Sequence, residues 1–387
     1  MDKVYVVSVV RTAVGKSRWG SAITHVRPDD MGAAVVKEAV KRSGVPADRI
    51  QDLVLGCAFP EAESGMNVGR IVALAAGLPD TVCGVTVNRF CSSGLETMAI
   101  VGAKIEAGLL DCAIAGGIES MSLIPMGGNK LLPNPWLVKN YPEAYTSMGQ
   151  CADNVAKDFG ISREECDQWG YQSNMRAVAA ITEGRFKEEI VPLEVKGPKG
   201  TYIFDTDEGP RAETTVEGLA KLKPAFAANA KLGVSTAGNS SQTSCGAAAS
   251  VIVSEKVLKE LNLKPMARLR GYAVGAGTPK YLGPAQVPAI DQACAQAGIS
   301  VKDIGLVEGN EAFAAQLLYV IKHYGLDPAI VNPNGGAIAL GHPLGCTGTK
   351  LAATLIHEMR RRGVKWGLET MCIGTGMGAA GIFELCD

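Results

Sequence analysis

Two stretches of this chain, residues 85–117 and residues 345–376, follow the same order of structural signals. This repetition constrains the fold more than any other feature. In the first stretch a β-branched run ends, Cys91 opens a helix-forming segment, and an apolar strand then ends in two glycines. In the second, a glycine-flanked turn opens a helix, and a strand ending at Cys372 is followed by further glycines. Two unrelated βαβ units could share this order by chance, but we favour an internal duplication, with two halves of one fold facing each other.

Strands and helices alternate along most of the chain. Apolar runs of strand length are followed by amphipathic segments of helix length that end at glycine. This order is typical of a mainly parallel sheet covered by helices on both faces, so we predict an α/β fold. The predicted strands are residues 1–11, 53–57, 85–87, 112–117, 267–273, 304–308 and 368–372. The predicted helices are residues 29–44, 67–76, 162–184, 288–298 and 312–324, and two that start at 91 and 345.

The regular alternation is interrupted from about Ser120 onward. Residues 120–150 are rich in Met, Pro, Asn and Tyr, and a polar helix follows whose first residues, Ser162 and Glu165, fit a capping box. Long irregular segments in compact domains usually bind something. We therefore predict an N-terminal half formed by 1–117 and about 251–263, an inserted loop domain at 118–250 that binds a ligand, and a C-terminal half at 264–387.

Composition excludes several classes of function. The formal net charge of −1 argues against a global attraction to nucleic acid or acidic membranes. No run reaches the roughly 18 apolar residues of a membrane span, and the N-terminus lacks the pattern of a signal peptide. The eleven cysteines, an odd number, are therefore expected to be reduced thiols in a cytoplasmic protein. No CxxC pair or His/Cys cluster has zinc spacing, so we expect no metal site.

Cys91 is the first candidate for chemistry. It stands at or just before the first turn of a predicted helix, where unpaired N–H groups and the positive end of the dipole favour a thiolate. A thiolate held there is a nucleophile suited to a carbonyl. Taken alone, Cys91 is better explained as a buried structural cysteine, since free cysteines are among the most buried residues.

His342 is the histidine most suited to act with such a thiol. It lies between Gly341 and Pro343 in a glycine-rich loop, a setting that can aim one imidazole. Beside a thiol it would take the proton and raise nucleophilicity at neutral pH, whereas a core histidine bonded to backbone is the alternative. The other three histidines lie in ordinary contexts and are expected to be structural or solvated: His25, His323 and His357.

Cys372 and Asn310 complete the candidate set. Cys372 ends a short strand before several glycines, and a second thiol is useful when a reaction moves a proton to or from carbon. Taken alone, Cys372 could equally be an ordinary core residue. Asn310, where a strand passes into a helix, brings an amide that can hold a water or a carbonyl oxygen. The glycines after Cys372 leave backbone N–H groups accessible, which suits an oxyanion hole.

Four segments of the chain resemble those of the thiolases, in the same order and with similar spacing: VNRFCSSG, NEAFA, GGAIALGHPLG and the terminal CIGTGMG. The likeness extends along the whole chain. It implies the five-layered αβαβα thiolase fold, built from two duplicated halves with a loop domain between them. It also implies homodimers, often paired into tetramers, and no permanently bound cofactor, with coenzyme A (CoA) as a co-substrate.

The resemblance also implies roles for individual residues. Cys91 would be acylated, His342 would activate it, and Cys372 would be the second acid/base. Asn310, through a water, and His342 would form one oxyanion hole, while the N–H groups of Cys91 and Gly374 would form the other. The reaction would be cleavage of a 3-ketoacyl-CoA by CoA, which gives acetyl-CoA and a shortened acyl-CoA.

The inserted segment is the expected site for CoA, which is polyanionic and has a long apolar arm. Residues 218–250 contain three lysines and no acidic residue, although a solvated basic face would look the same. By likeness to the family, Arg211 and the turn that includes Ser241 would contact the nucleotide and pantetheine, and Met148 and Phe313 would line the tunnel for the arm. The three lysines are Lys221, Lys223 and Lys231, of which Lys221 is taken as a CoA contact.

Departures from the usual thiolase pattern leave alternatives open. The family usually has Asp-Gly-Ala-Ala where this chain has residues 244–247, and Gly or Leu where it has Thr375; neither change removes a catalytic atom. The loop at 123–147 and Cys346 look more like the degradative type that acts in fatty acid β-oxidation, where a partner subunit is also conceivable. The alternative is an acetoacetyl-CoA-specific thiolase that works in the condensing direction.

Three other classes fit the sequence less well. A decarboxylating ketoacyl synthase would be expected to carry His at the position of Asn310 and to lack Cys372. A plain cysteine hydrolase would explain Cys91 and His342 but not Cys372. An inactive CoA-binding scaffold would not need to keep all four of these side chains.

Overall fold

The computed structural model describes residues 1, 3–18, 20–197, 200–226 and 233–386. Within these ranges the strands are β1 (Val4–Thr12), β2 (Gly15–Lys16), β3 (Asp52–Gly56), β4 (Cys83–Val87), β5 (Cys112–Ser120), β6 (Ile190–Val191), β7 (Leu193–Gly197), β8 (Gly200–Phe204), β9 (Ser244–Ser254), β10 (Ala267–Ala276), β11 (Leu306–Gly309), β12 (Trp366–Ile373) and β13 (Met377–Leu385). The helices are α1 (Pro28–Ser43), α2 (Val68–Ala75), α3 (Ser93–Glu106), α4 (Pro135–Asn140), α5 (Met148–Phe159), α6 (Arg163–Thr182), α7 (Val216–Ala220), α8 (Glu255–Glu260), α9 (Gln286–Ala297), α10 (Ala314–Tyr324), α11 (Ala337–Leu340) and α12 (Leu344–Arg362).

The main strands form one sheet in the order β11-β12-β13-β10-β1-β9-β5-β3-β4. β1 and β10 meet through only two residue pairs, so the sheet consists of two parts joined at this seam. On the N-terminal side the order from the seam is β1-β9-β5-β3, and on the C-terminal side it is β10-β13-β12-β11. In both halves the strand at the seam comes first along the chain and the strand next to it comes last, as the predicted duplication requires.

The sheet is mixed, so the prediction of a mainly parallel sheet is wrong. β3 pairs in parallel with β4 and β5, and β11 with β12, whereas β9 and β13 run antiparallel to both of their neighbours. β13 follows β12 after only three residues, and so short a connection can join only antiparallel strands. Neither β9 nor β13 was expected as a separate strand.

Side chains from the two parts of the sheet build five layers, as the resemblance implied. One apolar cluster joins α1 and α2 to the outer face of the N-terminal sheet. A second contains α3 and α12 between the two sheets, and a third covers the C-terminal sheet with α9 and α10. Successive residues of β3 show the alternation, since Leu53 and Leu55 face the outer cluster and Val54 faces the central one.

The insertion contains more regular structure than its sequence suggested. Ser162 caps α6 through a capping box with Glu165, as predicted. The predicted boundaries at residues 117 and 250 fall inside β5 and β9. The division into three domains therefore stays a prediction. No helix among the described residues is long and apolar enough to cross a membrane, and none of their His, Cys, Asp and Glu side chains form a group of three suited to a metal.

Candidate active site

Cys91 lies in a single 3-10 turn, Phe90–Ser92, that connects β4 to α3. Phe90 has a φ of 45°, in the left-handed region that bulky residues rarely adopt. Side chains on both sides hold the turn, because the N–H of Phe90 donates to Oδ1 of Asn88 and the N–H of Arg89 donates to Oγ of Ser93. The turn thus places Cys91 immediately before the helix, where the sequence predicted it, and stores strain there.

Burial governs the charge state of Cys91. The side chain is buried against Ala58, Met121 and Leu344. Burial raises the pKa of the Cys91 thiol to about 12, while the N–H groups of Gly374 and of Cys91 itself act in the opposite direction. The expectation of a thiolate at the helix start is therefore wrong for the free protein, because desolvation outweighs the backbone N–H groups. The nucleophile must lose its proton as it attacks.

The turn between β12 and β13 lies next to Cys91. A Cβ atom on Gly374 would be 3.6 Å from Sδ of Met148 and 3.6 Å from Cδ2 of Phe90, so Gly374 fits between these two side chains. Cys372, at the end of β12, is fully buried. Burial raises its pKa well above the ordinary thiol value, and the neighbouring Cys91 adds to the rise. The two thiols therefore lie close enough to interact electrostatically.

Contacts with neighbouring residues hold both the ring and the backbone of His342. Its Nδ1 lies 2.6 Å from Oγ1 of Thr347, in the first turns of α12. Its backbone N–H donates to the carbonyl of Gln242 at 3.2 Å and to Oγ of Ser244 at 3.2 Å. Gly341, just before it, has a φ of 94° and lies against Ser244, so no larger residue fits. These contacts aim the ring, as its glycine-rich setting predicted.

Asn310 links His342 to the strand that carries Cys372. Its Nδ2 is 3.4 Å from Nε2 of His342, and its backbone N–H donates to the carbonyl of Thr370 at 2.8 Å. Its Oδ1 is buried without a hydrogen-bond partner among the described residues. Burial, with the charge of Lys350 as a second cause, lowers the pKa of His342 to about 3. The imidazole is therefore neutral at physiological pH.

The predicted residues converge on one pocket. Cys91 contacts the Gly374 turn, Cys372 lies beside Cys91, and Asn310 joins β12 to His342. The pocket thus holds two thiols, one neutral imidazole, one unsatisfied amide oxygen and two backbone N–H groups that face a thiol. Such a set can form and break a thioester while moving a proton near carbon.

A basic cavity of about 240 Å³ opens behind the His342 loop. It is lined by Lys16, Arg18 and Arg211 together with the segment 241–243 and a few neighbours. Burial lowers the pKa of Lys16, and the nearby Arg211 and Arg18 lower it further, so the three cations are close together. The structure thus places two of the predicted CoA contacts, Arg211 and Ser241, in one cavity that suits anionic groups.

The apolar residues predicted for the CoA arm lie close to Cys372. Phe313 and Met148 pack in the same cluster as Cys372. Phe226 meets Phe313 edge to face, with 5.5 Å between ring centroids. Lys221, at the end of α7, is exposed and does not line the basic cavity. Lys231 lies outside the described residues.

Three features of the site were not found from the sequence. Glu119, fully buried at the end of β5, accepts hydrogen bonds from the N–H groups of Ala58 and Gly345 and so ties the wall around Cys91 to the start of α12. Its only signal was an acidic residue at the end of an apolar strand. Lys16 and Arg18 belong to a basic loop whose position was not predictable, and Thr347 was visible only as a helix residue.

Comparison with known proteins agrees with this geometry. The family model for the thiolase N-terminal domain matches residues 4–256, and that for the thiolase C-terminal domain matches residues 263–385. The 3-ketoacyl-CoA thiolase of Bacillus subtilis is 51% identical over 395 residues and covers 100% of both chains. The acetyl-CoA acetyltransferase of Escherichia coli is 40% identical over 399 residues, covering 99% of each.

A solved structure gives the same picture. The crystal structure of human mitochondrial 3-ketoacyl-CoA thiolase superposes with a TM-score of 0.91, at 37% sequence identity and with 99% of each chain covered. Fold, pocket and sequence similarity therefore lead to one conclusion: this chain is an enzyme of the thiolase family.

Proposed function

We propose that the enzyme cleaves 3-ketoacyl-CoA with CoA, giving acetyl-CoA and an acyl-CoA shortened by the acetyl unit, through an acyl thioester on Cys91. The observation that carries the proposal is the pairing of two buried thiols, Cys91 and Cys372, in one pocket. A simple thioester exchange needs one nucleophilic sulfur. Cleavage of a carbon–carbon bond also needs a group that delivers a proton to carbon, and the second thiol supplies it.

The first half-reaction forms the acyl-enzyme. Sγ of Cys91 attacks the 3-keto carbon while its proton passes to His342, and the bond between carbons 2 and 3 breaks. The electron pair of that bond remains on carbon 2 as the enolate of acetyl-CoA, which takes the proton of Cys372. Because the thiol has a high pKa and the imidazole a low one, attack and proton transfer are expected to be concerted.

The second half-reaction restores the enzyme. The thiol of free CoA gives its proton to Cys372, and its sulfur attacks the acyl carbon. Cys91 leaves as the acyl–sulfur bond breaks and recovers its proton from His342. The N–H groups of Cys91 and Gly374 would stabilise one developing oxyanion, and Asn310 with His342 the other.

The basic cavity supports CoA as the co-substrate. Lys16, Arg18 and Arg211 can neutralise phosphate groups, and the cavity adjoins the segment 241–243 that pairs with the His342 loop. Met148 and Phe313, beside Cys372, offer an apolar lining for the arm. A polyanion that carries a reactive thiol at the end of an apolar arm fits both surfaces.

The proposal also covers the direction of the reaction and its cellular setting. Relatives of this chain are named either 3-ketoacyl-CoA thiolase or acetyl-CoA acetyltransferase, so condensation of two acetyl-CoA molecules is the second candidate. The higher similarity to a relative of the first name favours degradation. A role in β-oxidation, a cytoplasmic location, a homodimer or homotetramer and a β-oxidation partner subunit stay predictions.

The test measures CoA-dependent cleavage of 3-ketoacyl-CoAs of short, medium and long chain length, and condensation of acetyl-CoA in parallel. We expect cleavage of several chain lengths by the wild type. Activity with acetoacetyl-CoA alone, together with efficient condensation, would favour the second candidate. The absence of turnover in either direction would contradict both candidate functions.

Two variants separate the roles of the thiols. Cys91→Ala should abolish cleavage and labelling by acyl groups. Cys372→Ala should still form an acyl-enzyme that mass spectrometry detects on Cys91, but should scarcely complete cleavage. Full thiolysis by Cys372→Ala would contradict the two-thiol scheme.

A further inference from the structure

Glu119, near the end of β5, carries a buried carboxyl group that the proposed chemistry does not use. Its Oε2 accepts two hydrogen bonds at once, from the backbone N–H of Ala58 at 2.9 Å and from that of Gly345 at 2.8 Å. Its Oε1 is held more loosely, 3.4 Å from the N–H of Phe59 and 3.7 Å from Sγ of Cys57. A single oxygen atom therefore joins one segment from the first half of the chain to one from the second.

The segments around this oxygen are packed so closely that only glycine fits at two positions. A Cβ atom on Gly345 would lie 2.7 Å from Cα of Cys57 and 2.9 Å from Oε2 of Glu119. A Cβ atom on Gly117 would lie 2.0 Å from the carbonyl oxygen of Gly345. The absence of a side chain at both positions lets the backbones approach each other. The junction around Oε2 is therefore rigid, since a close-packed interior leaves little room for movement.

The wall of the Cys91 thiol is attached to this junction. Three buried apolar residues pack around the thiol: Ala58, Met121 and Leu344. One of them donates to the bridging oxygen, one directly precedes the second donor, and one lies two residues after Glu119 in the chain. Any movement of the bridging oxygen would therefore be transmitted to the surroundings of the nucleophile.

The side chain of Asn88 extends the connection to the turn that carries Cys91. Nδ2 of Asn88 donates to the carbonyl of Ala58 at 2.9 Å, and its Oδ1 accepts from the N–H of Phe90 at 2.8 Å. Phe90, with its left-handed φ of 45°, directly precedes Cys91. A strained residue keeps such a conformation only when its surroundings hold it there. Glu119 therefore supports the turn through one peptide group and one side chain.

The second hydrogen bond of the bridging oxygen leads to His342. Gly345 follows His342 by three residues, and the turn between them is closed by a hydrogen bond of 3.0 Å from the N–H of Leu344 to the carbonyl of His342. Two residues beyond Gly345, Oγ1 of Thr347 lies 2.6 Å from Nδ1 of His342. The backbone and the ring of His342 are thus both attached to the segment that Glu119 holds at Gly345.

We propose that Glu119 is a positioning residue, whose Oε2, as the shared acceptor for Ala58 and Gly345, fixes the distance over which Cys91 passes its proton to His342. The inference rests on the proposed function for its kinetic meaning. Proton transfer needs the nucleophile and the base within hydrogen-bond reach, and a displacement of about 1 Å can lower a rate by about 100-fold. Glu119 acts through the two segments that it joins.

Glu119→Met keeps the length of the side chain and removes the acceptor. We expect kcat for thiolysis to fall about 10- to 100-fold, while KM for CoA stays near the wild-type value, because the loss concerns the transition state. Glu119→Gln can place its amide oxygen at the position of Oε2, with its amide nitrogen toward Cys57, a weak acceptor. This variant removes the charge but keeps the shared acceptor, so it should stay close to wild type.

Glu358→Met is the matched control. Glu358 is also buried, but it lies near the other end of α12, where one of its oxygens accepts from Nδ2 of Asn334 at 2.8 Å. Loss of this carboxyl group should leave kcat near the wild-type value. If Glu358→Met lowers kcat as far as Glu119→Met, loss of any buried carboxyl group has the same effect and the proposal fails.

Alkylation by iodoacetamide separates this inference from the proposed function. The sulfur of Cys91 displaces iodide as its proton leaves to His342, and no thiolase substrate is needed. Peptide mass spectrometry can follow the modification of Cys91 over time. We expect Glu119→Met to slow it about 10- to 100-fold and Glu119→Gln to restore it, whether or not thiolysis is the reaction. Alkylation at the wild-type rate or faster in Glu119→Met, or equal losses in the two variants, would overturn the proposal.

Asn88→Ala keeps the test decisive if Glu119→Met does not fold. Asn88 is exposed, so the fold should tolerate its substitution, whereas the connection between Ala58 and Phe90 is lost. We expect slower alkylation of Cys91 and a lower kcat for thiolysis, with KM for CoA again near the wild-type value. Wild-type alkylation in Asn88→Ala would show that the junction does not hold the turn, and the proposal would fail.

Discussion

The orientation of one imidazole illustrates how this site depends on a single hydroxyl group. Nδ1 of His342 lies 2.6 Å from Oγ1 of Thr347, and Nε2 faces Asn310. If Nδ1 carries the proton and donates it to Thr347, Nε2 is free to accept the proton of Cys91. The aim of the ring is thus set by a residue that the sequence showed only as part of a helix.

Thr347→Val keeps the shape of this side chain and removes the hydroxyl. We expect kcat/KM for thiolysis to fall about 10- to 100-fold, because part of the general-base contribution is lost. Thr349→Val is the matched control, since its hydroxyl is equally buried on α12 but bonds to the carbonyl of Gly94. Equal kinetic losses in the two variants would show that packing, and not the contact with His342, is responsible.

At the scale of elements, the site depends on the close approach of α3 and α12. A Cβ atom on Gly348 would overlap with the backbone nitrogen of Leu95, and one on Gly94 would overlap with the backbone of Thr349. These glycines allow the two central helices to touch, and the helices carry Cys91 and Thr347 at their starts. The repeated glycines that the sequence showed beside both helices are explained by this contact.

Gly348→Ala should therefore separate the two helices. We expect a loss of about 1–3 kcal/mol in the free energy of unfolding, as for other overpacked cores, with a parallel loss of activity. Urea unfolding and the thiolysis assay measure the two effects. Gly277→Ala is the control, because a Cβ there meets only a distant backbone oxygen and stability should change little. An unchanged stability of Gly348→Ala would refute the tight crossing.

Which elements could be predicted depended on how much local signal each carries. α1 and α2 were visible because their apolar periodicity ends at a glycine, and α6 because a capping box marks its start and a glycine follows its end. β9 and β13 were missed, since each opens with a run of small residues, mainly Ala and Gly, that lacks the β-branched residues that mark a strand. The mixed sheet follows from these two strands.

At the scale of the whole molecule, the candidate site also has residues that the sequence predicted and surroundings that it did not. Cys91, His342, Cys372 and Asn310 stood out because each lies next to glycine or at a strand–helix junction, and the fold brings them together. Their electrical environment could not be predicted. The buried carboxyl groups and the basic cavity are made by segments distant in sequence, so only the tertiary structure reveals them.

One such long-range interaction connects the inserted region to the core. Arg11 on β1 is fully buried and bonds to both carboxylate oxygens of Asp207 and to Glu189. Arg11→Met leaves two buried carboxylates without their cation, so we expect the free energy of unfolding to fall by about 3–5 kcal/mol. Arg27→Met is the control, since its exposed pair with Asp29 should contribute at most about 1 kcal/mol. Similar losses in the two variants would show that the buried triad does not hold the insertion.

Glu308, buried on β11 with one carboxyl oxygen that lacks a hydrogen-bond partner among the described residues, makes stability depend on pH in a defined direction. Burial raises the pKa of Glu308 from 4.5 to about 8, so between these values the folded protein binds a proton that the unfolded chain has lost. This contribution is complete below pH 4.5 and disappears as the pH rises through about 8, so stability falls over that window.

Glu308→Gln, which cannot ionise, should show a flatter dependence of the melting temperature on pH across the same range. Glu38→Gln is the control: Arg42 lowers the pKa of the partly exposed Glu38, so its contribution has the opposite sign and the fall should remain. A Glu308→Gln variant with the wild-type slope would show that this carboxyl group is ionised in the folded protein.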